Sequence, residues 1–142
     1  MSNLVEQFNP EWVFCFNPKE TDVNYIYSNE GKTIKMNAFQ HTNDLNVGDW
    51  AVIKRSQGSG LYPTSDFIAL CQIVDFEEIN GTDPEHEPFA NKSTNRGRLE
   101  HQPRYHSKKA VLQVNLLLDD HEVPSLTHPQ KYQGCVHRYL GF

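Results

Sequence analysis

The chain has 142 residues, with 18 Asp and Glu against 13 Lys and Arg, for a net charge of -5. That length fits a single domain spanning 1–142, able to bury a core without a disulfide or metal, and the acidic balance counts against a strong nonspecific nucleic-acid binder. No apolar run is long enough for a membrane helix, and Met1–Glu6 lacks the basic-then-apolar order of a secretory signal, so a cytoplasmic protein with no membrane partner is expected.

The first predicted strand is residues 11–16, where Trp12-Val13-Phe14-Cys15-Phe16 ends at Asn17-Pro18. Phe14 and Phe16 fall on one face by their two-residue spacing, so they share one environment. Val23–Tyr27 is a short apolar-aromatic run that suits either a strand or a helical turn. Ile34–Thr42 is ambiguous, with a short helix as one reading because Asn43-Asp44 resembles an end signal. Val47-Gly48-Asp49 is a turn that opens directly into the strand Trp50–Arg55, and a flexible segment, Ser56-Gln57-Gly58-Ser59-Gly60, follows. Phe67–Phe76 is the strongest strand, and its nearly continuous apolar run predicts burial on both faces.

Residues 77–107 read as a long polar connection with prolines at 84, 88 and 103. Connections of that length inside a compact domain are uncommon and are often functional. Its two halves differ in charge. Asp75, Glu77, Glu78, Asp83, Glu85 and Glu87 are followed by Lys92, Arg96, Arg98, Arg104, Lys108 and Lys109 with only Glu100 among them. Lys109–Leu118 is a further strand, and residues 131–142 end the chain as a strand or helical turn. About five strands and little helix predict an α+β, mainly β fold. A small bent sheet hides its edges best by closing into a mixed barrel with one or two short helices.

Cys15, Cys71 and Cys135 are far apart in sequence and odd in number, which reads as reduced, buried thiols. Seven histidines invite a metal reading, but His101 and His106 lack the H-E-x-x-H spacing and no C-x-x-C occurs. No G-x-S-x-G or phosphate-cradling glycine loop is present. Asp75-Phe76-Glu77-Glu78 follows a strong strand, as nuclease carboxylates do, without the accompanying acidic-x-Lys pattern. No catalytic residue, cofactor or metal is expected.

The order of these elements resembles the PUA-like superfamily, and within it the EVE-type domains. The likeness rests on Trp12–Pro18, on Asn37-Ala38-Phe39 leading into Val47-Gly48-Asp49, on Lys54-Arg55-Ser56, on Phe67–Val74 and more loosely on Ala110–Leu118. Asn37-Ala38-Phe39-Gln40 stands where the family carries Asn-Tyr-x-Ala-Arg-Asn. The resemblance implies a PUA-like mixed β-barrel that reads a modified base in DNA or RNA. Such a domain stands alone or is joined to a restriction-type nuclease or a motor module.

A base reader must replace lost stacking with an aromatic surface, meet the base edge with polar groups and meet phosphates with cations. The expected base pocket is Trp12, Phe16, Asn17, Asn37, Phe39, Trp50 and Ser56, with Lys54, Arg55, Arg96, Arg98, Arg104 and Lys108 on the backbone. Each also has an ordinary use: Trp50 as core, Asn17-Pro18 as a turn, Asn37 as a helix cap. The principal rival is a protein-interaction domain of a phage or defence system, which the acidic charge favours. A small nuclease or RNA-processing enzyme is the second alternative.

Overall fold

A computed structural model describes residues 4–19, 21–38, 43–57, 64–80, 87–89, 106–118 and 135–140. Its strands are β1 (Trp12–Phe16), β2 (Thr33–Asn37), β3 (Trp50–Arg55), β4 (Asp66–Asn80), β5 (His106–Leu117) and β6 (Val136–Arg138). Two single-turn helices, α1 (Leu4–Gln7) and α2 (Asn24–Tyr27), and a 3-10 turn at Glu87–Phe89 complete it.

The strands form one mixed sheet in the order β2-β5-β4-β3-β1-β6. Only β1 and β3 run parallel, with Trp12 opposite Ala51 and Phe16 opposite Arg55. A parallel pair needs a crossover, and α2 with β2 lies between them in sequence. The mainly β expectation holds. The closed barrel does not appear among the described residues, where β2 and β6 stand at opposite ends of the strand order.

Alternation sorts each strand's side chains onto two faces. Trp12, Phe14 and Phe16 of β1 join Ile34 and Met36 of β2, Ile53 of β3 and Leu112 of β5 in the main core, which Tyr25 and Ile26 of α2 cover. Val13, Val52, Phe67 and Leu70 form a smaller core on the other face, covered by Val5 of α1 and Leu118. β4 therefore feeds both cores, as its continuous apolar run predicts.

One ambiguous reading is resolved and one expectation is corrected. Ile34–Thr42 does not begin as a helix: Thr33–Asn37 is a strand whose Ile34 and Met36 alternate inward, and it pairs antiparallel with β5. The end signal at Asn43-Asp44 lies beyond that strand and says nothing of its conformation. The polar connection is also shorter than expected, because β4 runs on to Asn80 and β5 starts at His106. Glu77 faces Lys109 and Glu78 faces Lys108 across this ribbon. Part of the acidic and basic runs therefore forms paired stems, and the Glu77 carboxylate takes its ion pair from Lys35 on β2 at 2.8 Å.

The Val47-Gly48-Asp49 turn ties the central strands together. Gly48 adopts φ +99, a left-handed conformation that glycine takes without Cβ strain. Its N–H donates to the Ile73 carbonyl at 2.7 Å, and the Ile73 N–H donates to the Asp49 carbonyl at 2.9 Å. The Gln72 side-chain amide donates to the Gly48 carbonyl at 3.1 Å.

Candidate functional site

The expected pocket residues do not share one surface. Trp12 is 1% exposed and Phe16 4%, both inside the main core, which leaves neither ring a face for a base in this conformation. The Arg138 guanidinium lies 4.7 Å from the Trp12 ring centroid and covers it from the neighbouring strand. Trp50 sits on the opposite face of the sheet, packed against the smaller core, with its ring 5.1 Å from that of Phe8. Asn17 closes a turn, its side-chain oxygen accepting the Lys19 N–H at 2.9 Å. Ser56 lies beside the end of β1, its N–H donating to the Phe16 carbonyl at 2.9 Å. Asn37 is remote from these on β2, where its side-chain oxygen accepts from Lys109 Nζ at 2.7 Å. Phe39 lies outside the described residues.

The expected backbone contacts are also largely engaged. Lys54 is only 6% exposed, not a strand-end surface charge. Burial lowers its pKa, against the neighbouring Cys15 charge, which raises it. Arg55 pairs with Asp66 at 2.7 Å and donates to the Thr64 carbonyl at 3.0 Å. Lys108 is half-buried with Nζ 5.7 Å from the Phe76 ring centroid. Arg96, Arg98 and Arg104 lie outside the described residues.

A different place offers an open cavity. A cleft of about 600 Å³ opens between α2, the start of β2 and the Glu87–Phe89 turn. Its aromatic wall is Tyr25 with half-buried Phe89, ring centroids 5.3 Å apart and planes tilted by 43°. The turn is held in place by the Asp22 N–H, which donates to the Phe89 carbonyl at 2.7 Å. Asn29 lines the rim, its amide nitrogen donating to the Tyr25 carbonyl at 2.8 Å. Ser28, Lys32 and Thr33 complete the polar side, and Lys32 is exposed and makes no ion pair among the described residues. It is an open cleft whose polar residues, Ser28, Asn29, Lys32 and Thr33, outnumber Tyr25, Pro88 and Phe89.

Tyr25 is 3% exposed and braces this site from behind. Its hydroxyl accepts the Lys35 N–H at 2.8 Å and donates to the Lys35 carbonyl at 3.2 Å. One side chain thus satisfies both backbone groups of a residue on the outer edge of β2. Sequence reading missed this cleft. The Val23–Tyr27 run was visible, but no local pattern brings Phe89 to it across the intervening strands.

Among the described residues, no three of His, Cys, Asp and Glu gather as a metal-binding group, and no helix is long and apolar enough to cross a membrane. Comparison of the chain with protein-family profiles, with curated proteins and with solved structures yields no match.

Proposed function

We propose that this domain binds nucleic acid and reads one base, modified and either flipped or single-stranded, without chemistry of its own. The observation that carries the reading is the α2–β2 cleft. Phe89 supplies a partly open ring for stacking, Asn29 an amide for the base edge, and Lys32 a cation for a flanking phosphate.

Magnitudes indicate which nucleic acid suits it. Stacking on one aromatic ring gains about 1–3 kcal/mol. Extruding a base from a duplex costs a few kcal/mol. One platform with one cation barely offsets that cost, so a single strand, or a base already loosened by mismatch or damage, is the better ligand. The accompanying fold reading is a PUA-like, EVE-type barrel, supported by the placement of the three best-matched segments as neighbouring strands β1, β3 and β4. A fused or associated nuclease or motor would add backbone affinity, and the setting would be the cytoplasm.

The protein-interaction reading keeps one specific support: Arg55 and Lys35 are spent on Asp66 and Glu77, and the chain is acidic. Fluorescence anisotropy at low salt separates the two. The ligands are short single- and double-stranded DNA and RNA, with and without methylated or hydroxymethylated cytosine. Tighter binding of a modified single strand, lost in Phe89→Ala, supports the base reader. No binding of any oligonucleotide by folded protein overturns it.

A further inference from the structure

The polar rim of the α2–β2 cleft is held in one orientation. After α2 the chain makes a four-residue turn, 29–32, which the Lys32 N–H closes by donating to the Asn29 carbonyl at 2.9 Å. Gly31, third in that turn, has φ +78, a left-handed value that glycine adopts without Cβ strain. The turn is tied to β5: the Gly31 N–H donates to the Val114 carbonyl at 2.6 Å, and the Val114 N–H donates to the Lys32 carbonyl at 2.9 Å. The Glu30 carboxylate accepts the Leu117 N–H at 3.1 Å. Asn29 and Lys32 are the two ends of the turn, and both line the cleft.

The Asn29 side chain is fixed by chemistry as well as by position. Its atom 2.8 Å from the Tyr25 carbonyl is the amide nitrogen, because two carbonyl oxygens share no hydrogen. The same nitrogen lies 3.5 Å from Ser28 Oγ. That hydroxyl donates its own hydrogen to the Asn24 carbonyl, so Oγ is left to accept. Both amide hydrogens therefore have acceptors in the protein. Asn29 Oδ1 accepts no hydrogen bond among the described residues, and it is the amide atom left for a ligand. A free asparagine turns over to meet either a donor or an acceptor; this one is held as an acceptor.

Building on the base-reading proposal, we infer that Asn29 makes the cleft selective for a base with an exocyclic amine, cytosine or adenine, against its carbonyl counterpart. The N4 amine of cytosine and the N6 amine of adenine both donate. Uracil carries a carbonyl oxygen in place of the first, and hypoxanthine in place of the second. Either would set acceptor against acceptor, and turning the amide over to meet it would break the bond to the Tyr25 carbonyl. Because β5 holds the turn before any ligand arrives, binding need not order it. A methyl or hydroxymethyl group at C5 of cytosine leaves the amine intact, so the selection by Asn29 is separate from any preference for that modification.

The test is fluorescence anisotropy of the wild-type chain with single strands that differ at one position: cytosine, N4,N4-dimethylcytosine or uracil, and adenine or hypoxanthine. Cytosine and adenine should each bind about tenfold more tightly than the carbonyl counterpart. Dimethylation removes both donor hydrogens and should weaken cytosine to the level of uracil. This series needs no variant to fold. Asn29→Ala should bind cytosine and uracil alike, whereas Phe89→Ala should lose both. Binding that depends on Phe89 but is equal for cytosine and uracil overturns the selection and leaves the base reader standing. A preference that persists in Asn29→Ala overturns the assignment to Asn29. No binding of any strand overturns the base reader and the selection together.

Discussion

The Trp12 indole N–H donates at 2.9 Å to the same Asp49 carboxylate oxygen that accepts the Asn46 N–H at 3.1 Å. One carboxylate thus joins the first strand to the turn that opens the third. A hydrogen bond to a charged acceptor is worth about 1.5–3 kcal/mol. Asp49→Ala should therefore destabilise the domain by about 2 kcal/mol, read as a lower denaturant midpoint. Trp12→Phe keeps much of the packing and drops only the indole donor. It should cost stability yet leave discrimination among bases unchanged, and altered discrimination would return Trp12 to the ligand site.

Gly48 is a purely backbone requirement. Its φ is +99, and a Cβ placed there would meet nothing within 4 Å. Gly48→Ala should cost about 1–2 kcal/mol through conformation alone. Equal unfolding free energies for Gly48→Ala and wild type would show that the turn relaxes at no cost.

Tyr25 guards an edge. Exposed strand edges pair with other chains, and the Tyr25 hydroxyl occupies both backbone groups of Lys35. Tyr25→Phe should leave the Phe89 ring contact in place but speed hydrogen exchange at the Lys35 amide. Wild-type protection of that amide in Tyr25→Phe would mean that another group caps the edge.

Alkaline pH should weaken the fold through Cys15. Its thiol titrates at about 11 in the folded chain against an ordinary 9.0, because burial disfavours the thiolate. Between those values the unfolded chain has released a proton that the folded chain keeps, so stability falls as pH rises. Lys54 works in the opposite sense: burial lowers its pKa from 10.5, so stability rises as pH approaches that value. Cys15→Ala removes the first effect, and its unfolding curve should gain on wild type between pH 9 and 11. A difference that stays constant over that interval would show the thiol to be solvated.

Salt dependence reports on the cations. Each phosphate neutralised on a single strand contributes about 0.7 to the slope of log affinity against log salt. Lys32→Ala should lower the measured slope by about that amount, and Arg96→Ala with Arg98→Ala should lower it further if the 92–109 segment contacts the backbone. An unchanged slope in either case removes those residues from the interface.

The strands whose side chains are mostly apolar were legible in the sequence: β1, β3, the first half of β4 and most of β5. Their apolar, β-branched and aromatic residues come in short runs bounded by turn signals, which favours strand. β2 stayed ambiguous because Thr33-Ile34-Lys35-Met36-Asn37 alternates over only five residues, too few to separate a strand from a helical turn. The stems at 77–80 and 106–109 looked like loop because their residues are mostly polar and their pairing emerges only with the register. The site was harder to read for a related reason. Trp12, Phe16 and Lys54 carry residue types that suit a ligand pocket, and burial, a three-dimensional property, decides otherwise. The Tyr25–Phe89 contact joins two short segments by tertiary packing alone.

The position of β1 between β3 and β6 bears on how the chain reaches this structure. The earliest strand is flanked on one side by the last described strand, at residues 136–138. During synthesis, Trp12 can meet Asp49 once the turn at 48–49 has emerged, but its ring gains the Arg138 cover only about ninety residues later. Pairings of such wide sequence separation slow folding, because loop closure must precede the contacts that reward it. A nascent chain halted before residue 136 would expose one side of β1, and arrest-peptide force profiles should place the final compaction step after β6 clears the exit tunnel.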